Sequence, residues 1–192
     1  SAEKLAISLT TKFPNDAFSW KILGGLFKSS GRMPEALIAC EKAVQINPKD
    51  DQAYFNLGNI LIELGKLKEA EASLDKAIEL KPNYDRALLE RGQILFDKGN
   101  FEFALRDFDC CNNEDSRARS LITLYALGKI EDIYKRINMQ SELDDNNIRV
   151  AAFAAFIAER EKKDTTHNFC KNPLDFIYFS NISSHLKDSS SF

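Results

Sequence analysis

Apolar residues in this chain recur three and four places apart, pause, and then recur again. Tyr54, Leu57, Gly58 and Leu61 fall at i, i+3, i+4 and i+7, which puts them on one face of a helix. After Gly65 the stripe resumes at Ala70, Leu74, Ala77 and Ile78 and stops at Pro82. The preceding stretch follows the same plan, with Trp20, Leu23, Gly24 and Phe27, then Ala36, Cys40, Ala43 and Pro48. Each stretch therefore predicts two antiparallel helices. Gly58 and Ala70 are small where the two helices approach, because a larger side chain there forces the axes apart. Gly65 suits a helix end, where the chain takes a left-handed residue. Pro82 closes the second helix and begins the turn to the next unit.

The copies are in register at an offset of 34. Trp20-x2-Leu23-Gly24, Tyr54-x2-Leu57-Gly58 and Leu88-x2-Arg91-Gly92 align, as do Ala36, Ala70 and Ala104, and Gly31, Gly65 and Gly99. This period and residue set resemble the tetratricopeptide repeat (TPR), a helix–turn–helix unit. The resemblance implies an all-α, right-handed superhelical solenoid and a protein-binding function.

The pattern divides the chain. Residues 17–50 and 51–84 read as TPRs and 85–118 as a degenerate TPR, with Arg91 for leucine and Ser116 for proline. Residues 119–160 read as a divergent helical repeat and a capping helix. Within and just before that segment, the stripe Leu121, Leu124, Tyr125, then Ile130, Ile133, Tyr134, Ile137 predicts helices near 115–127 and 130–138, with Gly128 between. The alanine- and phenylalanine-rich run 148–160 predicts another helix. In 1–16, Ala2, Ala6, Leu9 and Pro14 sit one period before Ala36, Cys40, Ala43 and Pro48. That segment reads as the second helix of a preceding partial repeat or as an N-terminal cap, and as the mark of a piece cut from a longer protein.

From Glu161 the character changes, and 161–192 reads as a linker and the start of a downstream module. Phe169 to Ser180 is aromatic and β-branched. The run 172–186, about 15 residues, resembles the segment that follows TPRs in some microbial proteins with a 2-oxoglutarate/iron oxygenase domain. The chain has no His-x-Asp…His set for iron, so no oxygenase activity carries over to it. This resemblance implies an alternative role, the substrate-recognition arm of a larger enzyme.

Composition narrows the function classes. A net charge of −3 argues against a general nucleic-acid binder, which carries a basic surplus. The longest apolar run, Val150 to Ala158, falls well short of the roughly 20 residues that span a bilayer. Cys40, Cys110, Cys111 and Cys170 read as free thiols in a reducing compartment, the cytoplasm. His167-x2-Cys170 with His185 offers too few ligands for a metal site, and no cofactor is expected. Ser and His form no triad spacing, and Asp144-Asp145 sits in a polar run without burial to shift a pKa. The fragment is therefore read as non-catalytic.

In TPRs, ligands are held on the face of the stacked first helices, by residues 2, 5, 6, 9, 12 and 13 places into each unit. The candidate groove is accordingly Phe18, Lys21, Lys28, Phe55, Asn56, Asn59, Arg86, Leu89, Gln93 and Phe96. Amides, a few cations and aromatics suit an extended peptide or a partner helix, with Lys21, Lys28 and Arg86 favouring acidic partners. Phe18, Phe55 and Phe96 are expected as exposed anchors. The carboxylate clamp of chaperone-binding TPRs is matched at Lys21, Asn56 and Arg86, but Gly25 replaces its asparagine and Glu90 its basic residue, which repels the anion. The apolar end at Ala2, Ala6 and Leu9 offers a surface for self-association.

Overall fold

The structure, a computed structural model, describes residues 2–111, 113–139 and 147–162. The readings of the aromatic tail, of His167, Cys170 and His185, and of Asp144-Asp145 fall outside them. Among the described residues there are ten α-helices and no strand. The chain forms two compact units, 1–99 and 100–192.

The first unit holds α1 (Ala2–Lys12), α2 (Ala17–Ser29), α3 (Met33–Ile46), α4 (Asp51–Glu63), α5 (Leu67–Leu80) and α6 (Asp85–Asp97). Each packs on the next, and α2 also packs on α4. The pairs α2/α3 and α4/α5 approach closely because of their small residues. A Cβ built on Gly24 lies 2.6 Å from Cys40 Sγ, and one on Gly58 lies 3.0 Å from Leu74 Cγ. Ala36, Ala43, Ala70 and Ala77 are fully buried opposite them. The turns use glycine as expected. Gly31 and Gly65 have φ of 73° and 72°. The following amides of Arg32 and Lys66 reach back to Phe27 O and Leu61 O, both at 2.9 Å, which satisfies carbonyls that the helix end leaves bare. Trp20 packs against the core and its indole N–H donates to Pro14 O at 2.9 Å. Arg91, which takes the place of a core leucine, reaches Asp75 Oδ1 of α5 at 2.7 Å, so the substituted charge is paired.

The second unit holds α7 (Phe101–Cys110), α8 (Glu114–Ala126), α9 (Ile130–Met139) and α10 (Ile148–Glu161). Its core joins Leu121, Leu124, Ile133, Ile137, Val150, Phe153 and Ile157. Asn113 caps α8 by accepting from the Ser116 amide at 2.9 Å, and Asn147 caps α10 by accepting from the Val150 amide at 3.3 Å. These two caps stand 34 residues apart, so the period of the first unit returns here in a new phase. Ser116, found where a proline was expected, is fully buried and donates to Asn113 O at 2.8 Å. It closes a reciprocal capping box, a role proline cannot fill. Arg136 binds Asp109 with both terminal nitrogens and so fixes α9 to the end of α7.

The thiols separate by environment. Cys110 is exposed, while Cys40 and Cys111 are buried, and none of the three is in a disulfide. Burial pushes the Cys40 thiol up to about 11. No helix among the described residues is long and apolar enough to cross a membrane.

Candidate functional site

Helices α2 and α4 are the first members of their pairs, α6 follows α5 at the same period, and these three helices carry the predicted groove positions. The α2 end is apolar and open. Phe18 is 63% exposed and Ile22 45% exposed, and Lys21 Nζ lies 5.9 Å from the Phe18 ring centre. Gly25 is exposed, and a Cβ built on it meets nothing within 4 Å. Midway along a helix, such a glycine costs roughly 0.5–1 kcal/mol relative to alanine, and here no packing requires it.

On α4, Asn56 and Asn59 are half-buried. Neither side chain makes a hydrogen bond among the described residues. They stand one turn apart, with amide donors and acceptors to offer. On α6, Leu89 and Phe96 are half-buried and Gln93 donates to Asp97 Oδ1 at 2.8 Å.

The cations are less available than the sequence suggests. Lys21 donates to Asp50 Oδ2 at 2.7 Å, with both side chains 16% exposed. Lys28 pairs with Glu63 at 2.9 Å. Asp50 is also the cap of α4, accepting from the Ala53 amide at 3.0 Å. Burial alone raises Asp50, but the Lys21 ammonium and the Ala53 amide outweigh it and hold the carboxyl below its usual range.

Phe55 corrects one expectation. It is 2% exposed, not an exposed anchor. Its ring packs on Tyr84, with centroids 5.1 Å apart, and the Arg86 guanidinium covers it at 4.8 Å. The reason lies in the repeat itself. Lys21 and Asp50 in the first junction occupy the positions of Phe55 and Tyr84 in the second, each one period apart. One junction is closed by an ion pair and the next by an aromatic pair. A mixed pair would bury a lone charge against a ring, so the two substitutions belong together. Asp50 and Tyr84 were not among the predicted site residues, although the offset of 34 points directly at them.

The exposed N-terminal end also differs in detail. Ala6 is buried, while Leu5, Leu9 and Phe13 are exposed. Ala6 packs into the core, and Leu5 and Leu9 flank it on α1 and stay exposed.

A family profile described as tetratricopeptide repeat matches residues 51–84. No curated protein sequence matches. Among solved structures, the chain is similar to YrrB, a TPR protein with an unusual peptide-binding site, with a TM-score of 0.75, 17% identity and coverage of 95% of this chain and 97% of that one. It is similar to a tetratricopeptide repeat protein from Parabacteroides merdae, with a TM-score of 0.70, 20% identity and coverage of 84% and 66%. The first TPR of Spaghetti (RPAP3), bound to the HSP90 peptide SRMEEVD, matches with a TM-score of 0.55, 23% identity and coverage of 58% and 95%. At these identities the likeness fixes the fold, while the profile match rests on sequence. Residues 51–84 match the tetratricopeptide repeat, and the chain has the all-helical fold of TPR solenoids.

Proposed function

We propose that this chain is a protein-interaction module and that the face of α2, α4 and α6 holds an extended peptide of a partner protein in a reducing, cytoplasmic setting. The observation that carries this reading is the pair Asn56 and Asn59. Their amide atoms have no protein partner among the described residues and reach solvent, so both can exchange water for a ligand's hydrogen bonds. An extended backbone supplies donors and acceptors at that spacing. Exposed Phe18 and Ile22 offer apolar contact beside them, and open Gly25 lets a backbone approach α2. A partner helix is a poorer match, because its backbone groups are already satisfied internally.

Acidic partners are less favoured than the count of cations suggests. Lys21 and Lys28 are neutralised by Asp50 and Glu63. An acidic peptide such as SRMEEVD, held by the Spaghetti repeat, would meet Glu90 with only Arg86 to offset it. The preferred peptide is therefore neutral and apolar.

A displayed library of random linear peptides, selected on the intact chain, tests this. Loss of two neutral hydrogen-bonding side chains costs about 1–3 kcal/mol together, so Asn56→Ala with Asn59→Ala should weaken the selected peptides by about fivefold to a hundredfold. Selected peptides that bind the double variant as tightly as the parent would remove the groove from consideration.

A further inference from the structure

One face of α1 carries large apolar residues where later units bury small ones. Leu5 is 64% exposed and Leu9 37% exposed. One period on, Ala39 and Ala43 of α3 take their places, and two periods on, Ser73 and Ala77 of α5; all four are buried. On α3 the cover is the first helix of the pair, α2, since a Cβ built on Gly24 lies 3.6 Å from Ala39 Cβ. The leucine face of α1 is therefore a seat for a helix, and nothing fills it among the described residues. Exposed Phe13 extends the seat. Its amide bonds to Leu9 O at 2.7 Å, which keeps it in line with Leu5 and Leu9 at four-residue spacing.

Size and charge define the occupant. At the approach of α2 to Ala39 a leucine has no space, so a helix seated on Leu5 stands further out and meets side chains rather than backbone. The neighbouring row of α1 holds Lys4, Ser8 and Lys12, again four apart. Both lysines are exposed and form no hydrogen bond or ion pair among the described residues. Lys12 Nζ lies 5.5 Å from the Phe13 ring centre. The one carboxylate on α1, Glu3, is held by Arg32 at 2.6 Å. An apolar row thus runs beside a cationic row with no unpaired acid on the helix. A second copy of the chain is a poor occupant, because it sets these lysines against their own counterparts. We infer that this face docks an amphipathic helix of a partner protein, with leucine-type residues along its stripe and carboxylates along one edge. Its apolar side chains interlock with Leu5, Leu9 and Phe13 as ridges in grooves, and its carboxylates meet Lys4 and Lys12. The seat uses none of the residues of the peptide groove.

The probes are three labelled peptides of about 18 residues, long enough to hold a helix, titrated with the intact chain. The first has leucines at i, i+3, i+4 and i+7 with glutamates beside them. The second has lysines in place of the glutamates, and the third has serines in place of the leucines. Fluorescence anisotropy should show saturable binding of the first, binding of the second at least about threefold weaker, and none of the third. Leu5→Glu, at the more exposed leucine, should abolish binding of the first with helicity unchanged. Lys4→Glu with Lys12→Glu should reverse the order of the first two. Asn56→Ala with Asn59→Ala should leave the first unaffected, so the seat and the groove stand or fall separately. Equal binding of the first two probes, binding that survives Leu5→Glu, or no saturable binding would each overturn the assignment. A mass in solution that rises with concentration, and no longer does so in Leu5→Glu, would overturn it by giving the face to a second copy. Uptake onto phosphatidylserine vesicles without binding of the first probe would overturn it by giving the face to lipid.

Discussion

Two adjacent glycines on α2 should answer oppositely to the same substitution. Gly24→Ala places a methyl 2.6 Å from Cys40 Sγ, with Ala36 O at 3.5 Å and Ala39 Cβ at 3.6 Å behind it. Cys40 is 1% exposed and has little room to retreat. Overpacking of this kind costs about 1–3 kcal/mol, against a helix-propensity gain of about 1 kcal/mol. The net expectation is a loss of about 1 kcal/mol. Gly25→Ala meets nothing within 4 Å and keeps only the gain, about 0.5–1 kcal/mol. The two variants should therefore differ by roughly 2 kcal/mol in a helix where they are neighbours. Urea unfolding followed by Trp20 fluorescence reads the α2/α3 pair directly. A double-mutant cycle sharpens the test, because Cys40→Ala removes the obstructing sulfur and should make Gly24→Ala less costly in its presence. Gly24→Ala at least as stable as the parent, or no coupling to Cys40, would refute the close-approach account of the repeat.

Phe55→Ala should cost about 3 kcal/mol or more, because a buried ring leaves Tyr84 and Arg86 without support; thermal unfolding measures it, and a loss under 1 kcal/mol would mean that the ring is not part of the junction. Asp50→Asn keeps the helix cap, since asparagine caps as well as aspartate, but loses the charge. The folded carboxyl sits below its unfolded value of about 3.9, so its contribution is present above that value and lost as pH falls through the folded pKa. The parent should lose stability below about pH 4 more steeply than Asp50→Asn in acid titrations monitored by circular dichroism. Iodoacetamide at pH 8 should modify Cys110 within minutes and leave Cys40 and Cys111 untouched until the chain unfolds, as mapped by mass spectrometry, because of these three thiols Cys110 alone is exposed.

The fold was legible because one constraint recurs. Tight pairing of two helices demands small residues at Gly24, Gly58, Ala36 and Ala70, and a turn with positive φ demands Gly31, Gly65 and Gly128. Those demands act on short stretches of chain, so they survive in the sequence. The same logic placed α8, α9 and α10 within a few residues of their observed ends. What was not legible lies in contacts between repeats. Phe55 and Lys21 occupy the same place in successive units, and the period alone marks both as groove positions. Their availability depends on Tyr84 and Asp50 from the following unit, which close over one ring and neutralise the other charge. Exposure at a groove position is therefore a property of a pair, and reading single positions misassigns it.

Nitrogen-labelled protein titrated with a peptide selected on the intact chain would test the central claim most directly. The side-chain amide signals of Asn56 and Asn59 and the backbone signal of Gly25 should shift together and saturate at one affinity. Shifts confined to α3 and α5, or to residues 100–162, with those three signals unmoved would place peptide binding elsewhere on the molecule.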